Sequence, residues 1–401
     1  MQGLKNIKTI GEFEYQDKVV FLRLDLNVPM ENGKISDETR ITASLPTIKY
    51  LLEKGARVLM ASHLGRPKSR EDKEFSLEPV AKRLSELLST EVFLLDEVES
   101  AAIKHLVMGM KKNQLVLLEN IRFEEGETKD SEELAQELAK HTDIYINDAF
   151  GASHRAHATI HALPKLMKNR GVGLLIEKEI QFLDQLIKNP SRPYWAILGG
   201  SKVSDKIAVI EKLLDVVDGF IIGGAMAYTF LKAMGHQVGS SRIEQDKVRF
   251  AAEMVERIKA RNKSLLLPID HIVSTGIKNV SDIKTIKEVN IPEGYMGVDI
   301  GPQSIAQFNA ALKNAKTIFW NGPMGVFEVP EMAKGTFAIA KILSEVDALK
   351  IVGGGDSAAA AEASGYASSM THISTGGGAS LEYLQGDVMP GLEAVRYKHG
   401  R

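Results

Sequence analysis

The sequence predicts an α/β protein of two domains, each with a parallel β-sheet joined by crossover helices. Its 401 residues are too many for one ordinary hydrophobic core. Short runs of Val, Ile, Leu and Phe alternate with longer segments of helical period, which is the pattern of βαβ units. An apolar stripe at residues 174–188, closed by Pro190, predicts a helix between the two halves. We therefore expect domains at residues 1–172 and 191–388, joined by a linking helix at 173–190.

Five strands are predicted in the first half and six in the second. Those of the first half fall at residues 19–28, 57–62, 92–95, 115–118 and 144–146. Those of the second half fall at residues 194–198, 219–222, 264–267, 317–320, 350–352 and 372–374. Helical segments follow most of these strands, which favours parallel pairing within each half.

The composition excludes several classes of function. The 50 basic and 52 acidic side chains nearly balance, so no global field would attract a nucleic acid or a membrane surface. The absence of cysteine excludes disulfides, thiolate catalysis and metal sites with cysteine ligands. The first residues lack the pattern of an export signal, and no apolar run is long enough to span a membrane. We therefore expect a soluble cytoplasmic protein.

The strand ends of the first half carry charged and polar side chains. Ligands of open α/β sheets gather at the carboxyl ends of the strands, so these residues are candidates for one site. They are Asp25, Asn27, His63, Arg66, Arg122, His154, Arg155 and His157. Because arginine and histidine bind small, highly charged anions through directed hydrogen bonds, this half is expected to bind a compact anion.

The strand ends of the second half carry glycines instead. The segments are LGGSK, IIGGAM, WNGPMG, VGGGDS and STGGGAS. Glycine allows phosphate groups to lie directly on backbone amides at a helix start, so this half is expected to bind a nucleotide. The sequence thus predicts two different ligands on two domains.

The segment IVGGGDS places a carboxylate, Asp356, where a phosphate is expected. A carboxylate would repel a phosphate, so Asp356 either caps the following helix or meets the phosphate through a metal ion. A plain strand-to-helix turn with Asp356 or Ser357 as N-cap explains the segment equally well. Glu328, after WNGPMG, is expected to accept ribose hydroxyls, although an acid at a helix start is the simpler interpretation.

Two lysines and three histidines allow more than one interpretation. Lys202 and Lys206 stand one helical turn apart after glycines, so both could reach a phosphate, or both could be solvated surface lysines. His154, His157 and His161 could share a helix face as metal ligands, but three ligands on a straight face rarely converge on one ion, and this hypothesis is disfavoured. Neither a Walker A loop nor a dinucleotide fingerprint is present.

Ten segments together resemble the phosphoglycerate kinase family, in the family's order and over nearly the whole chain. They are RLDLNVP, SDETRI, SHLGRP, LLENIRF, NDAFGASHRAHA, LGGSKVSDKI, DIGP, WNGPMGVFE, GGGDS and STGGGAS. The resemblance implies two Rossmann-like domains that face each other across a cleft, with a tail at residues 389–401 that packs back on the first domain. The family often has Ala at the position of Ser201 and Thr at that of Ser357, and both changes are small.

The resemblance also implies the site residues. For 3-phosphoglycerate or 1,3-bisphosphoglycerate these are Asp25, Asn27, Arg40, His63, Leu64, Gly65, Arg66, Arg122 and Arg155. For ADP or ATP these are Lys202, Lys206, Gly223, Gly297, Glu328, Gly354, Gly355, Asp356 and Ser357. Asp356 is expected to approach Mg²⁺, and Arg40 becomes informative only through this resemblance.

The implied reaction is the glycolytic transfer of the acyl phosphate of 1,3-bisphosphoglycerate to ADP. A diphosphate oxygen attacks in one direction and an ionised carboxylate in the other, so neither direction needs a general base. Neutralisation of the moving phosphoryl group is expected from Arg40, Lys202 and the amides near Gly354 and Gly377. Transfer requires closure of the cleft, which we expect to hinge at the 174–188 helix in a monomer.

Two other classes remain as alternatives. A two-domain solute-binding protein would also close on an anion, but the missing export signal and the two distinct sets of strand ends disfavour it. A nicotinamide dehydrogenase is disfavoured by the missing fingerprint. Titration with ADP and with NAD would separate these classes.

Overall fold

The computed structural model describes residues 3–96, 100–110, 114–278 and 280–397. The chain divides into two compact units. Unit 1 comprises Met1–Gln181 and Asp387–Arg401, and unit 2 comprises Phe182–Gly386. Among the residues described, no helix has both the length and the apolar character that a membrane span requires.

Unit 1 is built on a seven-stranded parallel sheet with the order β1-β9-β8-β2-β5-β7-β6. Its strands are β1 Lys8–Thr9, β2 Val19–Leu24, β5 Arg57–Ala61, β6 Val92–Leu95, β7 Leu115–Leu118, β8 Ile144–Asp148 and β9 Asn169–Val172, and β3 Met30–Glu31 pairs with β4 Lys34–Ile35 in a small hairpin. Its helices are α1 Thr39–Glu53, α2 Glu78–Leu88, α3 Ser100–Gly109, α4 Glu125–Thr128, α5 Glu132–Ala139 and α6 Leu163–Leu166. Helix α7, Leu174–Ile187, runs from unit 1 into unit 2.

Unit 2 is built on a six-stranded parallel sheet with the order β12-β11-β10-β16-β17-β18. Its strands are β10 Tyr194–Leu198, β11 Gly219–Ile222, β12 Ser264–Leu266, β16 Thr317–Asn321, β17 Leu349–Val352 and β18 His372–Ile373, and a second, antiparallel sheet joins β13 His271–Ser274 to β14 Lys284–Ile286 and β15 Met296–Ile300. Its helices are α8 Ile207–Leu213, α9 Met226–Ala233, α10 Val248–Ala260, α11 Pro302–Leu312, α12 Lys334–Glu345, α13 Gly355–Ala363 and α14 Gly378–Gln385.

The central strands are buried on both faces, which explains their continuous apolar sequences. All six residues of β2 are buried, as are all five of β10. Helices cover the faces with apolar stripes, as α2 does with Val80, Ala81 and Leu84. Arg23 is an exception to this apolar pattern, because it is a charged residue that lies fully buried within β2.

Buried aspartates at strand ends fix the starts of three helices. Asp148 accepts hydrogen bonds from the backbone amides of Leu175 and Ile176 in α7, at 2.9 and 3.1 Å. Asp270 does the same for α11, and Asp299 accepts from the amide of Gly335 in α12. A carboxylate at a helix start satisfies unpaired amides and complements the helix dipole. These bonds hold each helix to the edge of its sheet.

The chain returns to unit 1 through helix α15, Pro390–Val395. The amide of Gly391 donates a hydrogen bond to the carbonyl of Ser153 at 2.9 Å. The amide of Tyr397 donates to the carbonyl of Asn6 at 2.7 Å. The ring of Tyr397 lies against Lys8 and Arg170. Residues 398–401 of the tail lie outside the described residues.

The predicted α/β class and all eleven predicted strands are confirmed. The clearest difference in bounds is at β2, which ends at Leu24 rather than at residue 28, because the chain turns there and the amide of Leu26 bonds to the hydroxyl of Ser62. The sequence does not predict β1, β9 or the antiparallel sheet. Strand β9 contains Gly171, whose close contact with the Lys8 carbonyl is a tertiary feature.

Candidate active site

Four neighbouring strands of unit 1, β8, β2, β5 and β7, bring their carboxyl ends to one edge of the sheet. We call this edge the arginine edge, after the Arg40, Arg122 and Arg155 side chains gathered there. Asp25 follows β2, and its Oδ1 accepts a hydrogen bond from Arg40 Nη1 at 2.8 Å. Asn27 Oδ1 accepts from the amide of Gly65 at 2.8 Å. The loops after β2 and β5 and the first turn of α1 are thereby joined.

Leu64 and Gly65 contribute backbone rather than side chains to this edge. The Leu64 side chain is buried in the core of unit 1. Gly65 has φ +59°, and a Cβ there would lie 2.2 Å from the ring of Phe75, so glycine is required. The carbonyl of Gly65 accepts a hydrogen bond from Arg122 Nη1 at 2.5 Å. The turn after β5 therefore positions a guanidinium group of the site.

The positive charge of the arginine edge comes from arginine and not from histidine. Burial, followed by the charge of Arg23, lowers the pKa of His63 well below its usual value. Burial, followed by Arg122, lowers the pKa of His157 to about 4. Burial, followed by Arg155, lowers the pKa of Arg122 to about 10, so this side chain stays charged near neutral pH. The histidines are neutral hydrogen-bonding groups among fixed cations.

A pocket of about 470 Å³ opens at this edge. Its lining residues are Arg66, Pro67, Lys68, Arg122, Phe123, Glu124, Glu125, Thr128, Lys129, Arg155 and His157. It therefore brings together Arg66, Arg122 and Arg155 of the expected substrate residues, whereas Asp25, Asn27, Arg40 and His63 lie outside its lining. Lys68 and Lys129 are further cations that sequence reasoning missed, and the only signal for Lys68 is its place two residues after Arg66.

The three histidines do not share a helix face. Residues 154–157 precede a short π-helical turn, Ala158–Ala162, so the regular spacing is lost. His161 Nδ1 lies 2.6 Å from Asp130, while His157 Nδ1 lies 3.9 Å from Glu127. Within the described residues, no three His, Asp or Glu side chains form a cluster that could hold a metal ion.

The glycine loops of unit 2 have two different roles. Gly199, Gly224 and Gly322 allow the loops after β10, β11 and β16 to pack backbone on backbone. A Cβ at Gly199 would lie 2.2 Å from the carbonyl of Pro323, and one at Gly322 would lie 2.3 Å from the carbonyl of Gly199. Gly223 is also closely packed, because a Cβ there would lie 2.3 Å from the sulfur of Met324. These glycines therefore set how closely the loops pack, and Gly224 also lines the pocket described below.

Other glycines face open space. A Cβ at Gly355, Gly377 or Gly378 would meet no atom within 4 Å. Gly355 begins α13 and Gly378 begins α14, so the unpaired amides of two helix starts are accessible here. Gly354 and Gly377, just before these helices, have φ of +93° and +55°. These two helix starts are the places where an anion can lie on backbone amides.

Of the two interpretations of this segment, the structure excludes the one in which Asp356 or Ser357 is the N-cap. The N-cap of α13 is Gly354. Asp356 is exposed in the first turn. The buried hydroxyl of Ser357 accepts a hydrogen bond from the amide of Gly322 at 2.5 Å, which ties α13 to the loop after β16.

The two lysines are also arranged differently from the expectation. Lys202 is exposed in the loop after β10, whereas Lys206 ends a short 3-10 turn, Ser204–Lys206, so they do not lie one turn apart on one helix. Lys206 Nζ donates a hydrogen bond to Asn321 Oδ1. Burial lowers the pKa of Lys206 to about 8, although Asp205 and Asp356 oppose the shift. Asn321 is thus a further member of the site that sequence reasoning missed.

A pocket of about 260 Å³ lies beside these loops. Its lining residues are Gly200, Ser201, Gly224, Ala225, Tyr228, Gly297, Val298, Pro323, Met324, Gly325, Val326, Phe327, Glu328 and Asp356. It brings together Gly297, Glu328 and Asp356 of the expected nucleotide residues. A Cβ at Gly297 would lie 1.9 Å from the Tyr228 hydroxyl, so glycine there sets the depth of the pocket. Lys202, Lys206 and Gly354 lie outside its lining.

A cationic edge on one α/β unit and glycine-lined helix starts on the other are typical of a phosphotransferase that pairs a small anion with a nucleotide. The family model for phosphoglycerate kinase matches residues 10–387. The chain is 68% identical over 394 residues to the phosphoglycerate kinase of Bdellovibrio bacteriovorus, covering 98% of each chain. It is 50% identical over 395 residues to that of Clostridium perfringens, covering 98% of this chain and 99% of the relative.

The solved structures agree with the sequence comparison. The phosphoglycerate kinase structure from Coxiella burnetii superposes with a TM-score of 0.87 at 38% identity, covering 97% of this chain and 98% of that one. The chain belongs to the phosphoglycerate kinase family. It is a kinase that transfers a phosphoryl group between 1,3-bisphosphoglycerate and ADP. The resemblance seen in the sequence is confirmed.

Proposed function

We propose that the chain catalyses this transfer reversibly and in one step, with phosphoglycerate bound at the arginine edge of unit 1 and Mg²⁺-ADP or Mg²⁺-ATP bound at the glycine loops of unit 2. The observation that carries the proposal is the contrast between the two sets of strand ends. One set is lined by charged side chains, and the other exposes the amides of two helix starts. Small phosphorylated acids suit the first, and a nucleotide diphosphate suits the second.

At the arginine edge, Arg66, Arg122 and Arg155 bind the phosphate group of the substrate. All three line the 470 Å³ pocket. Within the described residues, the buried Nε of Arg122 has no hydrogen-bond partner, so a ligand oxygen is its natural acceptor. Asp25, Asn27 and His63, beside this pocket in the same loops, orient the rest of the molecule through its hydroxyl and carboxylate groups.

In unit 2, the 260 Å³ pocket holds the nucleoside, with Gly297 at its floor and Glu328 accepting from the ribose hydroxyls. The phosphates lie on the amides of Gly354, Gly355 and Ser357 at the start of α13. The ammonium groups of Lys202 and Lys206 supply positive charge beside them. Gly223 is assigned a backbone contact with the nucleotide, and Met324 lies where a side chain at this position would be.

The residues present fit Mg²⁺ bound together with nucleotide phosphates. Mg²⁺ is commonly held by one or two carboxylates plus phosphate oxygens and water, rather than by a cage of protein ligands. Asp356 is exposed at the nucleotide pocket and can supply one such carboxylate. The metal ion would neutralise phosphate charge, which also explains why a carboxylate is tolerated at this helix start.

The transfer needs no general base, because the attacking oxygen is already ionised in both directions. Catalysis then rests on in-line placement of the two substrates and on neutralisation of the moving phosphoryl group. We assign the neutralising role to Arg40 of unit 1 and to Lys202 and the amides near Gly354 and Gly377 of unit 2. Asp25 accepts a hydrogen bond from Arg40 and so fixes its guanidinium group at the arginine edge.

We further propose that the protein acts as a cytoplasmic monomer on small molecules only. The near balance of 50 basic and 52 acidic side chains gives it no global attraction for nucleic acids or membranes. The absence of cysteine suits a reducing compartment.

The experiment is a coupled assay with 3-phosphoglycerate and ATP, run with Mg²⁺ and with Mg²⁺ removed by a chelator. We expect turnover that the chelator abolishes and added Mg²⁺ restores. The stereochemistry at a chiral γ-phosphorothioate of ATP then tests the single step. Inversion is expected for direct in-line transfer, whereas retention would show a phosphorylated enzyme and overturn the mechanism. Turnover unaffected by the chelator would overturn the role of Asp356.

A further inference from the structure

A buried polar cluster lies beneath the arginine edge. It consists of Arg23, Glu127, Thr159 and His63, and we call it the Arg23 cluster. Arg23, Glu127 and Thr159 have no exposed surface, and His63 is 5% exposed. Within the described residues, none of these four lines the 470 Å³ pocket, although His157, which does, lies 3.9 Å from Glu127. The cluster is therefore buried behind the residues that line the pocket.

The hydrogen bonds of the cluster have fixed directions. Glu127 Oε1 accepts from the Thr159 hydroxyl at 2.7 Å, and Oε2 accepts from the Thr159 amide at 2.9 Å. Since the hydroxyl gives its one proton to Glu127, it can only accept from Arg23 Nε, which lies 2.7 Å away. Arg23 Nη2 is shared between Glu127, at 3.5 Å, and His63 Nδ1, at 3.4 Å. Whether each of these atoms donates or accepts a hydrogen bond therefore follows from the atom next to it.

This chain of bonds determines the protonation of His63. A guanidinium group can only donate, so His63 Nδ1 must be the acceptor of the contact with Arg23 Nη2. The proton of the neutral imidazole is then on Nε2. A second proton is disfavoured by burial and by the charges of Arg23, Arg122 and Arg40, which lower the pKa of His63. His63 therefore presents one N–H donor and no net charge.

We propose that Glu127 and Thr159 are positioning residues for the phosphoglycerate site: they orient Arg23, and Arg23 holds His63 as the neutral Nε2–H tautomer that donates to the substrate. The inference rests on the proposed function, in which His63 contacts phosphoglycerate. Glu127 also compensates the buried charge of Arg23, which would otherwise be costly among so many arginines. The substrate then meets a donor of fixed direction rather than a mobile cation.

The first test uses the wild-type protein. Nitrogen-15 NMR of histidine-labelled protein distinguishes the two neutral tautomers from the cation, and His63→Gln assigns the His63 signals by their loss. We expect the Nε2–H pattern, unchanged across about one pH unit on either side of the usual histidine pKa. A proton on Nδ1, or a cationic ring in that range, overturns the proposal. This measurement needs no destabilised variant.

The second test removes one hydroxyl. Thr159→Val removes both the bond that the hydroxyl accepts from Arg23 Nε and the one that it donates to Glu127 Oε1, with no change in charge and little change in shape. We expect KM for 3-phosphoglycerate to rise about tenfold, which is the scale of one hydrogen bond to a charged group, with KM for ATP unchanged and a mixture of His63 tautomers. Thr159→Ser keeps the hydroxyl and restores both readouts. Thr317→Val is the matched control, since it removes a buried hydroxyl bonded to a backbone carbonyl at the amino end of β16.

Two outcomes separate this inference from the proposed function. If Arg66→Ala raises KM for 3-phosphoglycerate while Thr159→Val leaves KM and the His63 tautomer unchanged, the site assignment stands and the positioning role is wrong. If Arg66→Ala also has no effect, the assignment of the arginine edge itself is wrong. Equal changes in KM for both substrates in Thr159→Val and Thr317→Val would show general destabilisation and would also overturn the positioning role.

Discussion

The arginine edge of unit 1 and the glycine loops of unit 2 occupy the same place in two similar sheets, yet they present opposite kinds of surface to an anion. At the arginine edge, the charged groups are long side chains, of which Arg40 is held by Asp25 and Arg122 by the backbone carbonyl of Gly65. At the glycine loops, the absence of side chains exposes the amides of two helix starts. A compact, highly charged anion suits the first arrangement, and a chain of phosphates suits the second.

The contrast teaches how each site can be damaged. At the arginine edge, function is lost when a side chain is removed, because the charge and its hydrogen bonds leave with it. At the glycine loops, function is lost when a side chain is added, because a new Cβ covers an amide or separates two packed loops. The predictions below test these two modes of damage separately.

The largest effect is expected for Arg40→Ala. If Arg40 neutralises charge that develops on the moving phosphoryl group, kcat falls about a thousandfold while KM for either substrate changes little. The measurement is steady-state kinetics with 3-phosphoglycerate and ATP. Arg83→Ala is the matched control, because Arg83 is also a helix arginine paired with carboxylates, those of Glu38 and Glu86. A rise in KM with kcat unchanged would make Arg40 a binding residue and contradict the assignment.

A smaller effect is expected when a methyl group is added at a glycine, and its kind depends on which glycine is changed. Gly355→Ala adds a Cβ in open space at the start of α13. We expect an unchanged or slightly higher Tm, because alanine suits a helix better, and a KM for ADP that is about tenfold higher because the amides are covered. Calorimetry and steady-state kinetics measure the two quantities.

Gly199→Ala is the opposite case. Its Cβ would lie 2.2 Å from the Pro323 carbonyl, so the loops after β10 and β16 must separate. We expect a loss of unfolding free energy of about 1–3 kcal/mol and a lower Tm. If Gly199→Ala left Tm unchanged, or if Gly355→Ala left KM for ADP unchanged, the division of the glycines into packing and binding groups would be wrong.

The division of the glycines into packing and binding groups also shows which features of the site can be predicted from the sequence and which cannot. The strand ends are predictable because the apolar strands β2 and β7 are followed within a few residues by Asp25 and Arg122, a local change from apolar to polar residues. Gly199 and Gly355 look alike in sequence, because whether a glycine packs or faces open space depends on the strand beside it. The interpretation in which Ser357 is the N-cap of α13 fails for a related reason, since its hydroxyl accepts a hydrogen bond from the amide of Gly322 in the loop after β16.

The contacts of the Arg23 cluster could not be predicted, although its member His63 was expected at the site. Arg23 stands inside an apolar strand, and Glu127 lies 104 residues further along the chain. No spacing rule connects them, because their contact depends on how β2 and the segment around α4 come together. The strands of the antiparallel sheet were also missed, since β13 and β14 have only four and three residues and β15 carries a glycine and an aspartate. Long-range polar contacts of this kind require the tertiary structure.

The smallest expected effect separates the two sites by pH. Burial lowers the pKa of Lys206 to about 8, so its ammonium group loses its proton as the pH rises through that value. KM for ADP should then rise about fourfold half a pH unit above the pKa, because roughly a quarter of the protein still carries the charge. Lys206→Arg should abolish the rise, and Lys212→Arg, an exposed lysine of α8, should keep it. KM for 1,3-bisphosphoglycerate should stay level over the same range, because the pKa of Arg122, about 10, lies above it. A parallel rise in both KM values would show that the two sites do not differ in this way.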